Sequence, residues 1–242
     1  MTKAQCHLLS NDPWLTEIMG KPCFRLALDD AKVPEDGEIS LAGVRLTYAK
    51  IPTDAIGSIH WLEDNDFRLI DTNVTLKKSI LTRPAKTPDV QTNTVIRFAK
   101  PEDRTNVMAL AGSSFSRSRF HLDPKIPDAT ADKIKAEWAG NFFRGDRGDA
   151  MVVAETNGDI VGFLQLLHKG RSLTIDLIAT AATARGKGLG RAMIDYAERS
   201  MPDLDEINVG TQLANGGSLI FYQSLGFRLQ QAAYVFHNHR DI

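Results

Sequence analysis

The sequence predicts an α/β fold built on a mixed β-sheet, and three observations support that class. From Val95 onward, strand patterns and helix patterns follow one another in the order strand, two helices, three strands, helix, strand, helix, strand. Two of the strands, AMVVAE and IVGFLQLLHK, flank the turn residues Asn157-Gly158-Asp159, as in a β-hairpin. A glycine-rich loop, ARGKGLGR, joins a further strand to a strongly amphipathic helix.

Each element of this series is defined by its own local sequence pattern. The first strand, VIRFAK, begins at Val95, and the helix PEDRTNVMALAGSSF opens with a proline and two acidic residues, which suit a first helical turn. A second helix, ATADKIKAEWAGNFF, has Ile134, Trp138 and Phe142 on one face. SLTIDLIAT and EINVGTQ are predicted strands, a helix is expected from about 216 to 224, and a closing strand follows around AAYVFHN.

The helix after the glycine loop has two distinct faces. Apolar side chains recur at i, i+3, i+4, i+7 and i+8, at Leu189, Ala192, Met193, Tyr196 and Ala197. The other face has charged side chains at Arg191, Asp195, Glu198 and Arg199. The glycines therefore lie at the N-terminus of a packed helix, where unpaired N–H groups and the helix dipole favour an anion.

Residues 82–94, TRPAKTPDVQTNT, are the most linker-like stretch of the chain, with two prolines and no apolar period. They divide an N-terminal subdomain, residues 1–81, from a larger domain, residues 95–242. WLEDNDFRLIDTNVTL from Trp61 and FYQSLGFRLQQAAYVF from Phe221 align without gaps and share Phe-Arg-Leu. The alignment indicates an internal repeat, although three identities also arise by chance.

Composition disfavours several classes of protein. The 29 basic and 30 acidic side chains nearly cancel, whereas a dedicated nucleic-acid binder usually has a basic excess. The N-terminal sequence lacks the apolar core of a signal peptide, and no run of 18 apolar residues predicts a membrane span. Cys6 and Cys23 show no CxxC spacing, which indicates free thiols in a reducing compartment. We expect a cytoplasmic protein with no nucleic-acid or membrane partner.

The spacing of the glycine loop separates it from the common phosphate-binding motifs. Gly186, Gly188 and Gly190 give Gly-x-Gly-x-Gly, which fits neither the dinucleotide fingerprint nor the P-loop. Alternating glycines allow a ligand to lie against the backbone, and Arg185 and Lys187 add positive charge for a pyrophosphate. The loop is either a phosphate-binding loop of another kind or only a tight turn.

Arg185-x-x-Gly188-x-Gly190, after a strand ending in LIAT, resembles the acetyl-CoA pyrophosphate loop of the GNAT superfamily of N-acetyltransferases. Asn215 after the next strand and the segment FYQSLGF repeat the superfamily's order, so the resemblance covers about residues 95–242. It implies a GNAT fold, a splay between the strands SLTIDLIAT and EINVGTQ, and acetyl-CoA as co-substrate. The residues expected at the coenzyme are Leu177, Ile178, Ala179, Arg185, Gly186, Lys187, Gly188, Leu189, Gly190, Arg191, Asn215 and Tyr222.

A closer resemblance is to the TDP-fucosamine (dTDP-4-amino-4,6-dideoxygalactose) acetyltransferase group. It is carried by a Ser-Arg-Phe run, a Trp-x-x-Asn in the next helix, and Thr-Gln-x-x-Asn before the tyrosine. PWLTEIMGKPCFRL resembles that group's opening pattern, with Met19 in place of an aromatic residue. This resemblance implies a sugar-nucleotide amine as acceptor and is compatible with a homodimer. The N-terminal subdomain would then be a degenerate GNAT-like half that shapes the acceptor site and binds no coenzyme.

Two side chains are candidates for proton transfer. Tyr222 matches the superfamily's general acid and, with a phenol pKa near ~10, would protonate the leaving thiolate; alternatively it is a core aromatic. Asp176 lies in an otherwise apolar strand, where it is either a base acting through water or a hydrogen-bonded structural acid. In the superfamily, a backbone N–H near Ile178 or Ala179 meets the thioester oxygen.

The acceptor is expected to meet the segment between the two helices. Arg117 and Arg119 suit the bidentate binding of phosphates, or are ordinary solvated charges, and His121 is a weaker candidate for contact with the substrate. We expect His237 and His239 to be surface residues, and we expect no metal because no cluster has ligand spacing.

Two other functions remain open at this stage. The chain is alternatively a GNAT enzyme acting on a protein N-terminus, a polyamine or another small amine, although its large front segment argues against that. The third hypothesis is a non-catalytic acyl-CoA-binding module. It is disfavoured by the joint presence of Tyr222, Asn215 and the glycine loop.

Overall fold

The computed structural model describes residues 8–28, 33–34, 45–80, 93–201 and 203–240. Its strands are β1 (Leu9–Asn11), β2 (Cys23–Leu26), β3 (Leu46–Pro52), β4 (Arg68–Ser79), β5 (Thr94–Phe98), β6 (Ala150–Thr156), β7 (Asp159–Lys169), β8 (Ser172–Thr180), β9 (Glu206–Gln212) and β10 (Arg228–His239). Its helices are α1 (Pro13–Met19), α2 (Ile56–Asp64), α3 (Arg104–Ser114), α4 (Asp128–Arg144), α5 (Leu189–Ser200) and α6 (Gly216–Ser224).

The α/β fold predicted from residue 95 onward is confirmed element by element. The observed order is β5, α3, α4, β6, β7, β8, α5, β9, α6 and β10. Asn157 and Gly158, with φ of 54° and 91°, form a two-residue turn that suits the right-handed twist of a hairpin. Asp159, which the sequence placed in the turn, pairs with Thr156 and belongs to β7.

All described strands belong to one mixed sheet, in the order β1-β2-β3-β10-β4-β9-β8-β7-β6-β5. The pairs β2–β3 and β8–β9 are parallel, and the other neighbours are antiparallel. Helices α5 and α6 pack on one face of the sheet. Helices α1, α3 and α4 pack on the other face, together with the inter-helix segment, residues 115–127.

Two β-α-β units interlock at the centre of this sheet. The unit β3-α2-β4 is split by β10, and the unit β9-α6-β10 is split by β4. Each element of the second unit begins 160 residues after its counterpart in the first, as Leu46 and Glu206 illustrate. The pairing of β4 with β10 has the same symmetry, since it centres on Asn73 opposite Ala233. This correspondence supports the internal repeat, in which Leu62 of the first unit is equivalent to Tyr222 of the second.

The front and back segments therefore share one sheet. Its central strands β3, β10, β4 and β9 come alternately from the front and the back segment. The proposed linker lies mostly outside the described residues, and Thr94 at its end already begins β5. The domain boundary at residues 82–94 stays a prediction.

The splay between β8 and β9 is present. The two strands pair in parallel only from Ser172 to Ile175 on β8. Beyond that point β8 continues alongside β7 as far as Thr180, and β9 continues alongside β4 as far as Gln212. A gap therefore opens between the carboxyl ends of the two parallel strands, beside the start of α5.

The predicted apolar face of α5 is confirmed, and part of its charged face is buried as well. Leu189, Met193 and Ala197 are buried as expected. Glu198 is 2% exposed and Asp195 is also buried. Lys78 of β4 reaches Glu198 with a 2.5 Å ion pair, so the inserted N-terminal strand covers a face that the helix pattern alone assigns to solvent.

Cys23 is a buried free thiol, and burial raises its pKa to about 11. Cys6 lies outside the described residues. Among the helices that the structure describes, none combines the length and the apolar character needed to cross a membrane.

Candidate active site

Two cavities meet where β8 and β9 diverge. The first, about 700 Å³, is named the glycine-loop cleft because the loop and the start of α5 form one wall. The second, about 500 Å³, is named the sheet cavity and lies between the sheet and helix α4 with the inter-helix segment. Both are lined by Phe115, Ser118, Ile178, Gln212, Asn215, Ser218 and Tyr222. A molecule in one cavity would therefore contact a molecule in the other at the splay.

The glycine loop has the backbone that its sequence suggests. Gly186 and Gly188 both have φ of 75°, in the left-handed region that side chains disfavour. Gly188 is the N-cap of α5, so the first N–H groups of the helix face the cleft without helical partners. A Cβ at Gly190 would lie 2.9 Å from Cζ of Phe221, which explains why the third glycine is needed to seat α5 against α6.

Most of the residues expected at the coenzyme line the glycine-loop cleft. They are Ile178, Ala179, Arg185, Gly186, Gly188, Leu189, Gly190, Asn215 and Tyr222. Three others do not line it. Leu177 faces the sheet cavity, Lys187 is exposed outside both cavities, and Arg191 donates to the carbonyl of Ser224 at 3.2 Å. Positive charge at the loop therefore comes chiefly from Arg185.

Tyr222 lies in α6 at the junction of the two cavities. It is 3% exposed, and its ring packs against Phe221 and Phe227 at centroid distances of 5.1 and 5.4 Å. Burial raises the pKa of its phenol well above the ordinary value. The phenol is therefore protonated over the whole neutral range, and the packing and general-acid interpretations of this residue are compatible.

Asn215 is the N-cap of α6, and its Oδ1 accepts from the backbone N–H of Ser218 at 3.2 Å. The cap fixes the turn between β9 and α6 at the wall shared by the cavities. Asn215 thus has a structural role in addition to lining both cavities.

The sheet cavity has a floor of strand residues and a roof of helix and loop residues. Strands β8, β9 and β10 supply much of the floor, and the N-terminal segment adds Arg25 of β2, Tyr48 and Lys50 of β3, and Asp71 and Asn73 of β4. The roof is formed by Phe115, Ser118, Arg119, Phe120, Lys135 and Trp138. The interlocked first unit therefore forms part of the floor of this cavity.

Two cations of the roof have no carboxylate within ion-pair distance among the described residues. Arg119 stacks on Tyr48 at 3.9 Å and on Phe120 at 4.5 Å, and burial lowers the pKa of its guanidinium. Lys135 is 8% exposed and lies 4.8 Å from the Trp138 ring. Burial, with the nearby charge of Arg119, lowers the pKa of Lys135 to about 8. A buried cation without a counter-charge is unfavourable, and an anionic ligand removes that penalty.

The position of Asp176 does not favour the base role considered from sequence. Its carboxylate accepts from Arg147 at 2.6 and 2.8 Å, from Nε1 of Trp138 at 2.8 Å and from Gln165 at 3.0 Å. A carboxylate that accepts four hydrogen bonds, two of them from a guanidinium, has little capacity left for a proton. It instead fixes the Trp138 ring in the wall of the sheet cavity.

Two residues expected at the acceptor lie elsewhere. Arg117 is exposed, lines the glycine-loop cleft and donates to the carbonyl of Ala214 at 2.5 Å. His121 lines neither cavity, because its ring bridges Ser118 Oγ at 2.7 Å and Asp132 at 3.1 Å. Of the three predicted acceptor residues, only Arg119 lies in the sheet cavity.

The expectation that His237 and His239 are surface residues is wrong. His237 is 1% exposed, and both imidazoles lie 2.6 Å from the same oxygen of Asp123. Burial lowers the pKa of His237 to about 4, so it is neutral and donates to the carboxylate. These three side chains bring their potential metal ligands within 4.8 Å of one another, but here they tie β10 to the inter-helix segment. The absence of a metal stays a prediction.

Sequence reasoning missed Lys135 and Asp71. Lys135 lies among the apolar positions Ile134 and Trp138, and a lysine on the buried face of a helix was the available signal. Asp71 is a charged residue inside a strand, β4, which has a paired strand on each side. A carboxylate within such a strand is a comparable signal. Neither could be connected with a site from sequence, because the sheet cavity forms only where β4 lies beside β9 and α4 packs over the sheet.

Residues 147–229 match the family model described as the acetyltransferase (GNAT) domain. This part of the chain is therefore similar to GNAT acetyltransferase domains, and the sheet that surrounds it has the GNAT fold.

The spore coat polysaccharide biosynthesis protein SpsD of Bacillus subtilis (strain 168) is 30% identical over 142 residues, which is 57% of this chain and 48% of that protein. The chain thus spans about half the length of the curated relative that it matches.

Solved structures match over more of the chain at low sequence identity. A GCN5-related N-acetyltransferase from Sphaerobacter thermophilus has a TM-score of 0.58 and 13% identity, over 81% of this chain and 61% of that chain. A tandem GNAT protein from the clavulanic acid biosynthesis pathway has a TM-score of 0.63 and 12% identity, over 91% of this chain and 76% of that chain. At these identities the likeness concerns the fold alone.

Proposed function

We propose that this chain is an N-acetyltransferase that moves the acetyl group of acetyl-CoA to the amino group of a nucleotide-linked amino sugar. The observation that carries the proposal is the meeting of the glycine-loop cleft and the sheet cavity at the splay, with Tyr222 in their common wall. One cavity suits a coenzyme and the other suits its acceptor.

The glycine-loop cleft fits a pyrophosphate and a thioester arm. Arg185 and the free N–H groups at the start of α5 would bind the phosphates, and the divergence of β8 from β9 leaves room for an extended arm. Ile178 and Ala179 lie at that gap, where a backbone N–H would stabilise the oxyanion of the tetrahedral intermediate.

The reaction needs a neutral amine on one side and a proton donor on the other. The amine nitrogen attacks the thioester carbon, a C–N bond forms, the C–S bond breaks, and the thiolate leaves. Tyr222 would give its phenolic proton to that sulfur, because burial keeps the phenol protonated at neutral pH. Holding both substrates at the splay supplies much of the remaining rate acceleration.

The roof of the sheet cavity favours an acceptor with a negative charge. A diphosphate would neutralise the half-buried Arg119 and the buried Lys135, and a guanidinium binds phosphate oxygens in a fork. The resemblance to the TDP-fucosamine acetyltransferase group and the name of the polysaccharide biosynthesis relative agree with a sugar nucleotide. Because both substrates of such a reaction are cytoplasmic metabolites, we propose that compartment; a homodimer stays a prediction.

The direct test is thiol release from acetyl-CoA with a panel of amines. We expect turnover with a TDP- or UDP-linked amino sugar, and at least about tenfold lower kcat/KM with the same sugar lacking its nucleotide, since one charge-assisted contact contributes about 1.5–3 kcal/mol. Turnover only with peptides or polyamines would assign the chain to the other acceptor class. Acetyl-CoA binding without turnover of any amine would make it a binding module.

We predict that Arg119→Ala raises KM for the sugar nucleotide by about 10–100-fold and leaves KM for acetyl-CoA nearly unchanged. Arg119 lies in the roof of the sheet cavity and does not line the glycine-loop cleft. Steady-state kinetics with each substrate varied in turn provide the measurement.

Arg117→Ala is the matched control, because Arg117 is two residues away but lines the glycine-loop cleft. We expect it to affect KM for acetyl-CoA more than KM for the sugar nucleotide. Equal effects of Arg119→Ala on both substrates would contradict its role at the acceptor.

A further inference from the structure

We propose that Asp71, a residue of the N-terminal segment, receives the proton that the acceptor amine loses before it attacks the thioester. This inference rests on the proposed function above and deepens it by assigning the general base. It gives the interlocked first β-α-β unit a chemical role in addition to its structural one.

Asp71 is the carboxylate with free capacity in the sheet cavity. Asp71 and Asp176 are the two acidic side chains among the described residues that line it. Asp176 already accepts four hydrogen bonds, whereas Oδ1 of Asp71 is buried and has no hydrogen-bond partner in the described part of the chain. A buried, orphaned carboxylate oxygen facing a cavity is costly unless a ligand donates to it.

The position of Asp71 on the sheet is suited to the reacting amine. Its neighbour on the same face of β4, Asn73, pairs with Gln212, the last residue of β9, and Gln212 lines both cavities. The Gln212 side chain is also a hydrogen-bonding neighbour of the Asp71 carboxylate. Asp71 thus lies beside the splay, on the acceptor side of the wall that contains Tyr222.

The charges around Asp71 keep it available. Lys50 on β3 donates to Oδ1 of Asn73 at 2.6 Å rather than to Asp71, and Arg119 in the roof stacks on Tyr48. Arg25 of β2 lines the same cavity without an ion pair to Asp71 among the described residues. Lys135 and the Arg147–Asp176 pair complete the charged groups of the cavity.

Burial raises the pKa of the Asp71 carboxyl to about 6, while the Thr72 backbone N–H, Lys50, Arg119 and Gln212 oppose the rise. The group is therefore ionised at neutral pH and more basic than an exposed carboxylate, as general bases in enzymes are.

The protons balance over the whole reaction. The acceptor ammonium gives one proton to Asp71. The lone pair of the resulting neutral amine then forms the C–N bond. When the C–S bond breaks, the thiolate takes the phenolic proton of Tyr222. The nitrogen then loses a second proton to the Tyr222 phenolate and becomes the amide nitrogen. The products are the amide, the free thiol and one proton, which Asp71 releases to solvent.

The test is the pH profile of Asp71→Asn, measured with TDP-linked 4-amino-4,6-dideoxygalactose as the acceptor at saturating acetyl-CoA. Wild type should lose kcat on acidification with an apparent pKa of about 6. Asp71→Asn should lower kcat by about 10²–10⁴-fold at pH 7.5 and abolish that acidic limb. Lys50→Met should move the limb to higher pH, because Lys50 is one of the charges that lower the pKa of Asp71.

Asp176→Asn is the matched control, since it alters the other carboxylate of the cavity and should retain the acidic limb whatever it does to the rate. A wild-type limb that persists unchanged in Asp71→Asn, or that does not move in Lys50→Met, overturns the inference. Failure of wild type to acetylate any amino-sugar nucleotide overturns the proposed function instead.

A readout without substrate accompanies the kinetics. Because the folded-state pKa of Asp71 lies above its ordinary value of 3.8, folding disfavours the ionised form, and the Tm of wild type should fall relative to that of Asp71→Asn as pH rises from 3.8 to about 6. A constant difference in Tm across that range would contradict the burial of an ionised carboxylate. Circular dichroism of both proteins provides the measurement and shows that the variant folds.

Discussion

Replacement of Tyr222 with phenylalanine is expected to lower kcat by about 10²–10⁴-fold while the fold and coenzyme binding persist. The ring of Tyr222 is 3% exposed and packs against Phe221 and Phe227, and phenylalanine keeps that packing. Only the hydroxyl at the junction of the two cavities is lost. The measurement is steady-state kcat together with calorimetric binding of acetyl-CoA and the Tm of the variant.

A change of leaving group distinguishes proton donation from positioning. If the phenol protonates the departing thiolate, a synthetic thioester with a more acidic thiol needs less assistance, and the defect of Tyr222→Phe should shrink with it. Burial raises the phenol pKa well above its ordinary value, so wild type should show no loss of activity from ionisation of Tyr222 up to about pH 9. An equal defect with both thioesters would mean that Tyr222 only positions the substrates.

Local patterns predicted the C-terminal half of the fold with little error. The strand EINVGTQ and the helix of residues 216–224 have the predicted bounds, since each is defined by its own apolar period and flanking turns. The hairpin around Asn157 and Gly158 is equally local, because the turn geometry depends on those two residues.

What sequence could not predict depends on contacts between distant segments. The insertion of β4 between β9 and β10 brings residues 68–79 beside residues 206–212, and no local pattern indicates that pairing. The burial of Glu198 follows from it, since its partner is Lys78 on the inserted strand. His237 was misassigned for the same reason, because the Asp123 carboxylate that it contacts lies 114 residues away.

The candidate site likewise has one part that local sequence patterns predict and one part that depends on contacts between distant segments. The glycine loop and Tyr222 belong to contiguous motifs, and the structure brings them to one cleft. The sheet cavity is assembled from strands of both halves of the chain together with α4 and the inter-helix segment, so the roles of Lys135 and Asp71 can be recognised only in the folded chain. Charge in a segment is visible in the sequence, but the burial that makes it functional is not.

Gly188→Glu is expected to weaken acetyl-CoA binding by at least about 100-fold and to leave the protein folded. Gly188 has φ of 75°, and a Cβ there would meet no atom within 4 Å, so the side chain would enter the open cleft rather than the protein core. Its carboxylate would occupy the anion position at the N-terminus of α5 and repel the pyrophosphate. Loss of one or two charge-assisted contacts, at about 1.5–3 kcal/mol each, accounts for the expected factor.

Gly188→Ala separates this effect from backbone strain. Both variants place a Cβ at a left-handed position, which costs about 1–2 kcal/mol and is small beside the about 5–15 kcal/mol by which typical domains are stable. Calorimetry should therefore show near-normal affinity for acetyl-CoA in Gly188→Ala and severe loss in Gly188→Glu, with similar Tm values for the two. Wild-type affinity in Gly188→Glu would remove the coenzyme from this loop. Equal loss in both variants would mean that the left-handed backbone, rather than the space above it, is what the coenzyme requires.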